Sequence, residues 1–189
     1  MFTKQDPWEE AANEGIQIKF AKARWTVDSD EVQTGEDGFR LCALMDTAMH
    51  GAVKWSNDRS VERRLQPYAR VAPSKDALEL GWSPYTSFQC VGANGNYFGQ
   101  LMTFWSSTWG ARYAFRSLIR PWLQKGRREF PICSLESKAK KNDVNANIDP
   151  IFKIVGWAPR SDFTAFLPSG DELPPTGAVV EAIDDNIPF

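Results

Sequence analysis

Histidine is almost missing from this chain: His50 is the only one in 189 residues. A histidine-based nucleophilic triad also needs an acid and a serine around the imidazole. Only Asp46 is near in sequence, and no serine stands in a nucleophile-elbow setting, so the pattern argues against hydrolysis of that kind. Cysteine is scarce as well. Cys42, Cys90 and Cys133 are odd in number, far apart and set in apolar stretches, which reads as buried thiols of a reducing compartment, and no spacing among them suits zinc. No apolar run approaches the length of a membrane span, and Met1 to Pro7 lacks a hydrophobic signal segment. The expectation is a cytoplasmic protein that meets no membrane, holds no metal or cofactor and is not an enzyme.

Two further absences concern charge. After Arg160 there is no Lys or Arg, while Asp162, Asp171, Glu172, Glu181, Asp184 and Asp185 follow, interspersed with Pro168, Gly170, Pro174, Pro175 and Gly177. One sign of charge with clustered Pro and Gly leaves too little apolar surface to offset the entropy of ordering. The chain is therefore expected to divide into a globular body, residues 1–166, and a flexible acidic tail, residues 167–189. All 22 cations lie before the tail, so the net charge of −2 conceals a basic body. A basic body with an acidic tail suits the binding of polyanions.

The second absence is sharper. From Leu80 to Arg128 there is no Asp or Glu, yet the stretch holds six cations and eleven of the 24 aromatic residues. Unpaired nucleic acid is bound by that mixture, because cations track phosphates and aromatic faces stack on bases of any identity. Most of these rings must still be core. The residues singled out for a nucleic-acid-binding surface are Arg63, Arg64, Trp82, Tyr97, Trp105, Trp109, Arg112, Arg116, Arg120, Lys138, Lys140 and Lys141.

Periodicity predicts where these residues sit. Ile16 to Phe20 alternates as a strand, and Phe39 to Met45 is a second strand, or a short helix continuing through Ala48. Residues 46–85, with Pro67, Pro73 and Pro84, read as a long and partly irregular connection. Thr86 to Val91 and Tyr97 to Trp105 read as a hairpin turning at Asn94-Gly95. A helix is expected over Gly110 to Leu123, with Phe115, Leu118, Ile119 and Trp122 on one face and Arg112, Arg116 and Arg120 as a stripe at its border. Pro121 should kink or shorten its last turn, and Gly126 should end it. Phe130 to Leu135 and Ile151 to Trp157 form a last hairpin with a Lys-rich tip. The fold class is mainly β with one main helix: a β-barrel in the order of a five-stranded OB-fold, its binding face flanked by residues 46–85 and 137–150.

The chain ends in Asp184-Asp185-Asn186-Ile187-Pro188-Phe189. Phe189 can fill an apolar pocket while its carboxylate meets a cation, Pro188 limits the conformations lost on binding, and Asp184 and Asp185 steer toward a basic rim. This ending resembles the tip of bacterial single-stranded DNA-binding proteins. The resemblance implies that Asp184, Asp185, Ile187, Pro188 and Phe189 recruit enzymes of replication, repair and recombination. No match extends to the DNA-binding domain of those proteins, so no binding residue is carried over from them. The body, through Lys54-Trp55, Val61-Glu62-Arg63-Arg64, Thr103 to Ser107 before Gly110-Ala111, and Phe152 to Trp157, is similar to uncharacterised proteins of phages and prophages, which implies a phage setting but no activity.

Three readings follow. A non-enzymatic single-stranded DNA-binding protein that recruits partners through its tip, and forms a homo-oligomer if its copies associate, is favoured. A recombination accessory, a strand-annealing factor, or a mimic of the tip that diverts host repair enzymes would use the same parts. A Mg²⁺-dependent nuclease would rest on Glu136-Ser137-Lys138, an acid-x-Lys element that needs a second acid on a neighbouring strand. The acid-free stretch removes the usual place for that acid, leaving Glu129 or Asp76.

Overall fold

A computed structural model describes residues 15–55, 61–67, 81–139 and 148–167. Its organising strand is β4, Arg40–Trp55, which is buried on both faces at its centre and has a neighbour on each side along most of its length. Before it come β1 (Ile16–Ala21), β2 (Arg24–Val27) and β3 (Asp30–Glu31). After it come β5 (Val61–Pro67), β6 (Trp82–Gly92), β7 (Leu101–Ser106), the helix α1 (Trp109–Gln124), β8 (Glu129–Ala139) and β9 (Ile148–Pro159). A 3-10 segment, Arg160–Phe166, closes the described chain.

The nine strands form one sheet in the order β3-β2-β1-β7-β6-β4-β8-β9, with β5 added on β4. Only β1 and β7 run parallel among these pairs. The sheet curls into a half-barrel, so the mainly β, barrel-like class expected from the sequence is what is found. The strand count is not: among the described residues nine strands stand where five were expected.

Most of the difference lies within residues 46–85, whose described parts, 46–55, 61–67 and 81–85, are mostly strand. β4 continues to Trp55, and β5 returns beside it from Val61. The first part of β4 pairs with β8 and β6, and the second part with β5 and β6. Between them a bulge sets Met45 to Ala48 against the single residue Phe88. Thr47 repairs the broken ladder: its hydroxyl donates to the Leu44 carbonyl at 2.7 Å and accepts from the Gln89 amide at 2.8 Å. Pro84 is tolerated in β6 because it lies below the end of β7, where β6 has only β4 beside it among the described residues.

Turn chemistry differs from expectation at three places. The β6–β7 hairpin exists, but Tyr97 belongs to a 3-10 turn, Gly95–Tyr97, and β7 starts only at Leu101. The β1–β2 and β2–β3 hairpins turn through Lys22-Ala23 and Asp28-Ser29, all four residues at positive φ. Those are the dihedrals of the tight hairpin turns that normally recruit Asn-Gly, so the sequence carried no turn signal at Lys22-Ala23 and only the weaker Asp-Ser at Asp28-Ser29.

Alternation along the strands places Ile18, Trp25, Val27, Phe88, Cys90, Met102 and Phe104 on the inner face, all essentially buried. Phe88 stacks on Phe115 of α1 at 4.6 Å between ring centroids, and Phe152 of β9 meets Phe88, Phe104 and Trp25 edge-on. The helix therefore lies against the inner face of the half-barrel. Phe115, Leu118, Ile119 and Trp122 are buried as expected. Thr108 caps the helix by accepting from the Ala111 amide at 3.2 Å. Pro121 falls inside the helix without ending it. Losing one backbone bond near the C-terminus is outweighed by burying the flanking Leu118, Ile119 and Trp122, each side chain contributing roughly 1.5–3 kcal/mol. Gly126, at φ 63°, ends the helix, its amide donating to Leu123.

Candidate nucleic-acid interface

The helix N-terminus is set close against the sheet. Gly110 is the residue at which a Cβ would overlap the Asp149 carboxylate of β9, so the absence of a side chain lets an acid sit beside the positive end of the helix dipole. Docked in this way, α1 turns one flank outward. Trp109, Tyr113, Arg116, Ser117, Arg120 and Gln124 share that flank, and all are exposed or half-buried. Tyr113 is 47% exposed, and its ring lies 6.1 Å from that of Trp109. The helix contains no carboxylate. The flank is aromatic at its start and cationic farther along.

Arg112 departs from the expected stripe. It is buried, with its guanidinium 5.2 Å from the centre of the Trp109 ring. Its spacing to Phe115, Ile119 and Trp122 is i+3, i+7 and i+10, which is the core stripe. Arg116 is half-buried and Arg120 exposed, so two of the three arginines reach solvent.

A second cluster lies on the same face of the sheet as α1, at the start of β6. Lys54 of β4 pairs with Trp82, and Arg64 of β5 pairs with Ala52, the next same-face position. The Arg64 guanidinium sits 4.2 Å over the Trp82 ring, a cation–π distance. Lys54 and Arg64 are exposed and Trp82 is half-buried. Two sequence-predicted residues, Arg64 and Trp82, are thus brought into contact from different strands, and Lys54 joins them without having been singled out.

Other predicted residues lie elsewhere. Trp105 is on the outer face of the sheet, stacked on Tyr85 at 6.2 Å and 16°, away from both clusters. Tyr97 is pinned: its hydroxyl donates to the Val27 carbonyl at 3.2 Å, and its ring meets Phe39 edge-on. Burial, then the Asp30 and Asp28 carboxylates, raise its hydroxyl pKa above the ordinary value. Carboxylates at this end would repel phosphate, so Tyr97 does not share a surface with the cations. Lys138 is exposed on β8 opposite Asp149. Arg63 lies in β5 opposite Val53, its side chain outside the described residues. Lys140, Lys141 and the tip residues Asp184, Asp185, Ile187, Pro188 and Phe189 also lie outside them.

Phe98 was passed over as a site residue, yet it is 72% exposed. Its setting, Gly95-Asn96-Tyr97-Phe98-Gly99, is a turn in which an aromatic has no strand face to bury against, and that was the available signal.

The acid-x-Lys element is otherwise engaged. Glu136 pairs with Lys153 of β9 at 3.2 Å, and Lys153 also reaches Glu36 at 3.5 Å. The hydrogen bond and charge of Glu136 raise the Lys153 pKa. A second carboxylate does approach Glu136, but with a lysine between them. Among the described residues no group of three or more His, Cys, Asp or Glu is placed to hold a metal. The three cysteines are buried free thiols; burial pushes the Cys42 pKa up to about 12 and raises those of Cys90 and Cys133.

Comparison with known proteins returns no match: no protein-family model, no curated protein and no solved structure corresponds to this chain. Among the described residues no helix is long and apolar enough to cross a membrane.

Proposed function

We propose that this protein binds single-stranded DNA without turning it over, in phage replication or recombination within the cytoplasm of a bacterial host, and recruits partner enzymes through its C-terminal tip. The observation that carries this reading is the outward flank of α1. Trp109, Tyr113, Arg116 and Arg120 offer rings and guanidinium groups on one surface of a stretch without acids, and the Lys54–Arg64–Trp82 corner adds a second set on the same side of the sheet. Phosphates would track the cations while bases stack on the half-exposed rings. In this reading the curled sheet serves as an OB-like scaffold, with the helix-bearing side as its binding face. The acidic tail competes with DNA for the basic body, so strand binding frees the tip for a partner.

Fluorescence polarisation with single- and double-stranded oligonucleotides, over a salt series and with and without Mg²⁺, tests the proposal. Tighter binding of the single strand, weakening as salt rises, is expected, with no cleavage in either condition. Absence of affinity in dilute buffer sinks the reading, and cleavage that appears only with Mg²⁺ turns it into a nuclease.

A further inference from the structure

Arg112 occupies a position of α1 that an apolar side chain would fill at less cost. It is 6% exposed and in phase with Phe115, Ile119 and Trp122. Taking a guanidinium out of water forfeits hydration, and replacing a buried charge with an apolar side chain of similar volume is commonly neutral or stabilising. One contact of that guanidinium is the Trp109 ring, 5.2 Å away at its centre. A cation over an indole face is attracted by the ring quadrupole, most strongly where water is excluded. The ring face that Arg112 covers is therefore on the core side, and the part of half-buried Trp109 that solvent reaches lies elsewhere on the ring.

The backbone under Trp109 is fixed as well. Thr108 accepts from the Ala111 amide at 3.2 Å, its own amide donates to Ser106 Oγ at 3.3 Å, and the two hydroxyls lie 3.1 Å apart. Tyr113, one turn farther along, stands 6.1 Å from the Trp109 ring at 31°. With the Asp149 carboxylate against Gly110, this end of α1 does not suit phosphate. What it offers a strand is ring surface. An aromatic held in place before binding loses little freedom when a base stacks on it.

We propose that Arg112 is a positioning residue, which from the core side holds the Trp109 indole in the orientation that stacks on a base of a single strand. The inference rests on the strand-binding reading and assigns separate roles within it. Arg116 and Arg120 meet phosphates at the surface, whereas Arg112 meets none and acts through Trp109. Its contribution is accordingly independent of salt, because a group that touches no phosphate releases no counterion. For the same reason it depends on the presence of bases.

Fluorescence polarisation on the full chain, comparing a labelled oligothymidylate with an abasic strand of the same length, tests this. Trp109→Ala is expected to weaken oligothymidylate binding about 5- to 100-fold, and Arg112→Gln about 3- to 10-fold, by the same factor at every salt concentration. Neither should change affinity for the abasic strand. Added to Trp109→Ala, Arg112→Gln should cause no further loss, the non-additivity of two residues that act as one. Circular dichroism sets a temperature at which every variant is folded. Should Arg112→Gln fail to fold, Arg112→Met, which fills the core position without the charge, replaces it in the cycle. A folded Arg112 variant that binds oligothymidylate like the wild type overturns the proposal, as does one whose loss persists beside Trp109→Ala or extends to the abasic strand. A wild-type chain with no affinity for either strand overturns the strand-binding reading itself, and this inference with it.

Discussion

Arg160 Nε donates to Asp46 Oδ2 at 2.7 Å across 114 residues of sequence. The pair ties the bulge of β4 to the first residue of the closing 3-10 segment, whose Phe163 meets Phe130 edge-on and whose Phe166 and Leu167 pack against the core. Only 9% of the Asp46 side chain is exposed, against 34% for Arg160. That inequality predicts unequal mutants. Arg160→Met strands a nearly buried carboxylate and should cost about 2–3 kcal/mol, whereas Asp46→Asn leaves an arginine that can rehydrate and should cost about 1 kcal/mol. Denaturant unfolding of both variants measures the difference, and equal costs would contradict the assignment.

The arginines of α1 should separate by role. Replacing Arg116 and Arg120 by Gln is expected to weaken oligonucleotide binding and to lower the slope of log affinity against log salt by about 0.7 for each lost phosphate contact. Arg112→Gln should instead lower stability, by about 1–3 kcal/mol, through lost packing and cation–π contact in the core. An affinity series and a melting series on the same variants decide this. If Arg112→Gln reduces the salt slope and leaves stability untouched, the burial argument fails.

Thiol chemistry offers a test of the core. The thiolate is the reactive species, and the Cys42 pKa of about 12 leaves almost none of it at pH 8. An aromatic disulfide reagent at pH 8 should find no reactive thiol in the folded chain and three after denaturation. Rapid reaction of one thiol in the native state would place a cysteine at the surface.

Tyr97→Phe should cost about 1 kcal/mol, the worth of its bond to the Val27 carbonyl. Oligonucleotide affinity should not change, because the ring serves the turn and not the basic surface. A loss of affinity at unchanged stability would return Tyr97 to the interface.

The helix was legible because Phe115, Leu118, Ile119 and Trp122 recur at helical spacing, and the β8–β9 hairpin because its two strands are dense in apolar residues despite the register shift at Ile132/Cys133. β4 was not, because its bulge at Met45 to Ala48 resets the alternation, and a single strand then reads as a strand followed by noise. β5, Val61-Glu62-Arg63-Arg64-Leu65, is too charged to announce itself and is a strand because β4 lies beside it. For the interface, the sequence located the acid-free helix but not which arginine turns inward, although the phase of Arg112 with Phe115, Ile119 and Trp122 carried that information. The Arg64–Trp82 contact could not be read, since it joins two strands whose pairing is a tertiary fact.

Lys22, Ala23 and Ser29 hold left-handed backbone without being residue types that accept it cheaply, whereas Asp28 is one that does. Among the described residues β3 is exposed and has only β2 beside it, so its amide protons should exchange with solvent before those of β4, β6 or β8. Installing Asn-Gly at either turn would relieve the torsional penalty and slow that fraying, a local repair that leaves the basic flank of the helix untouched.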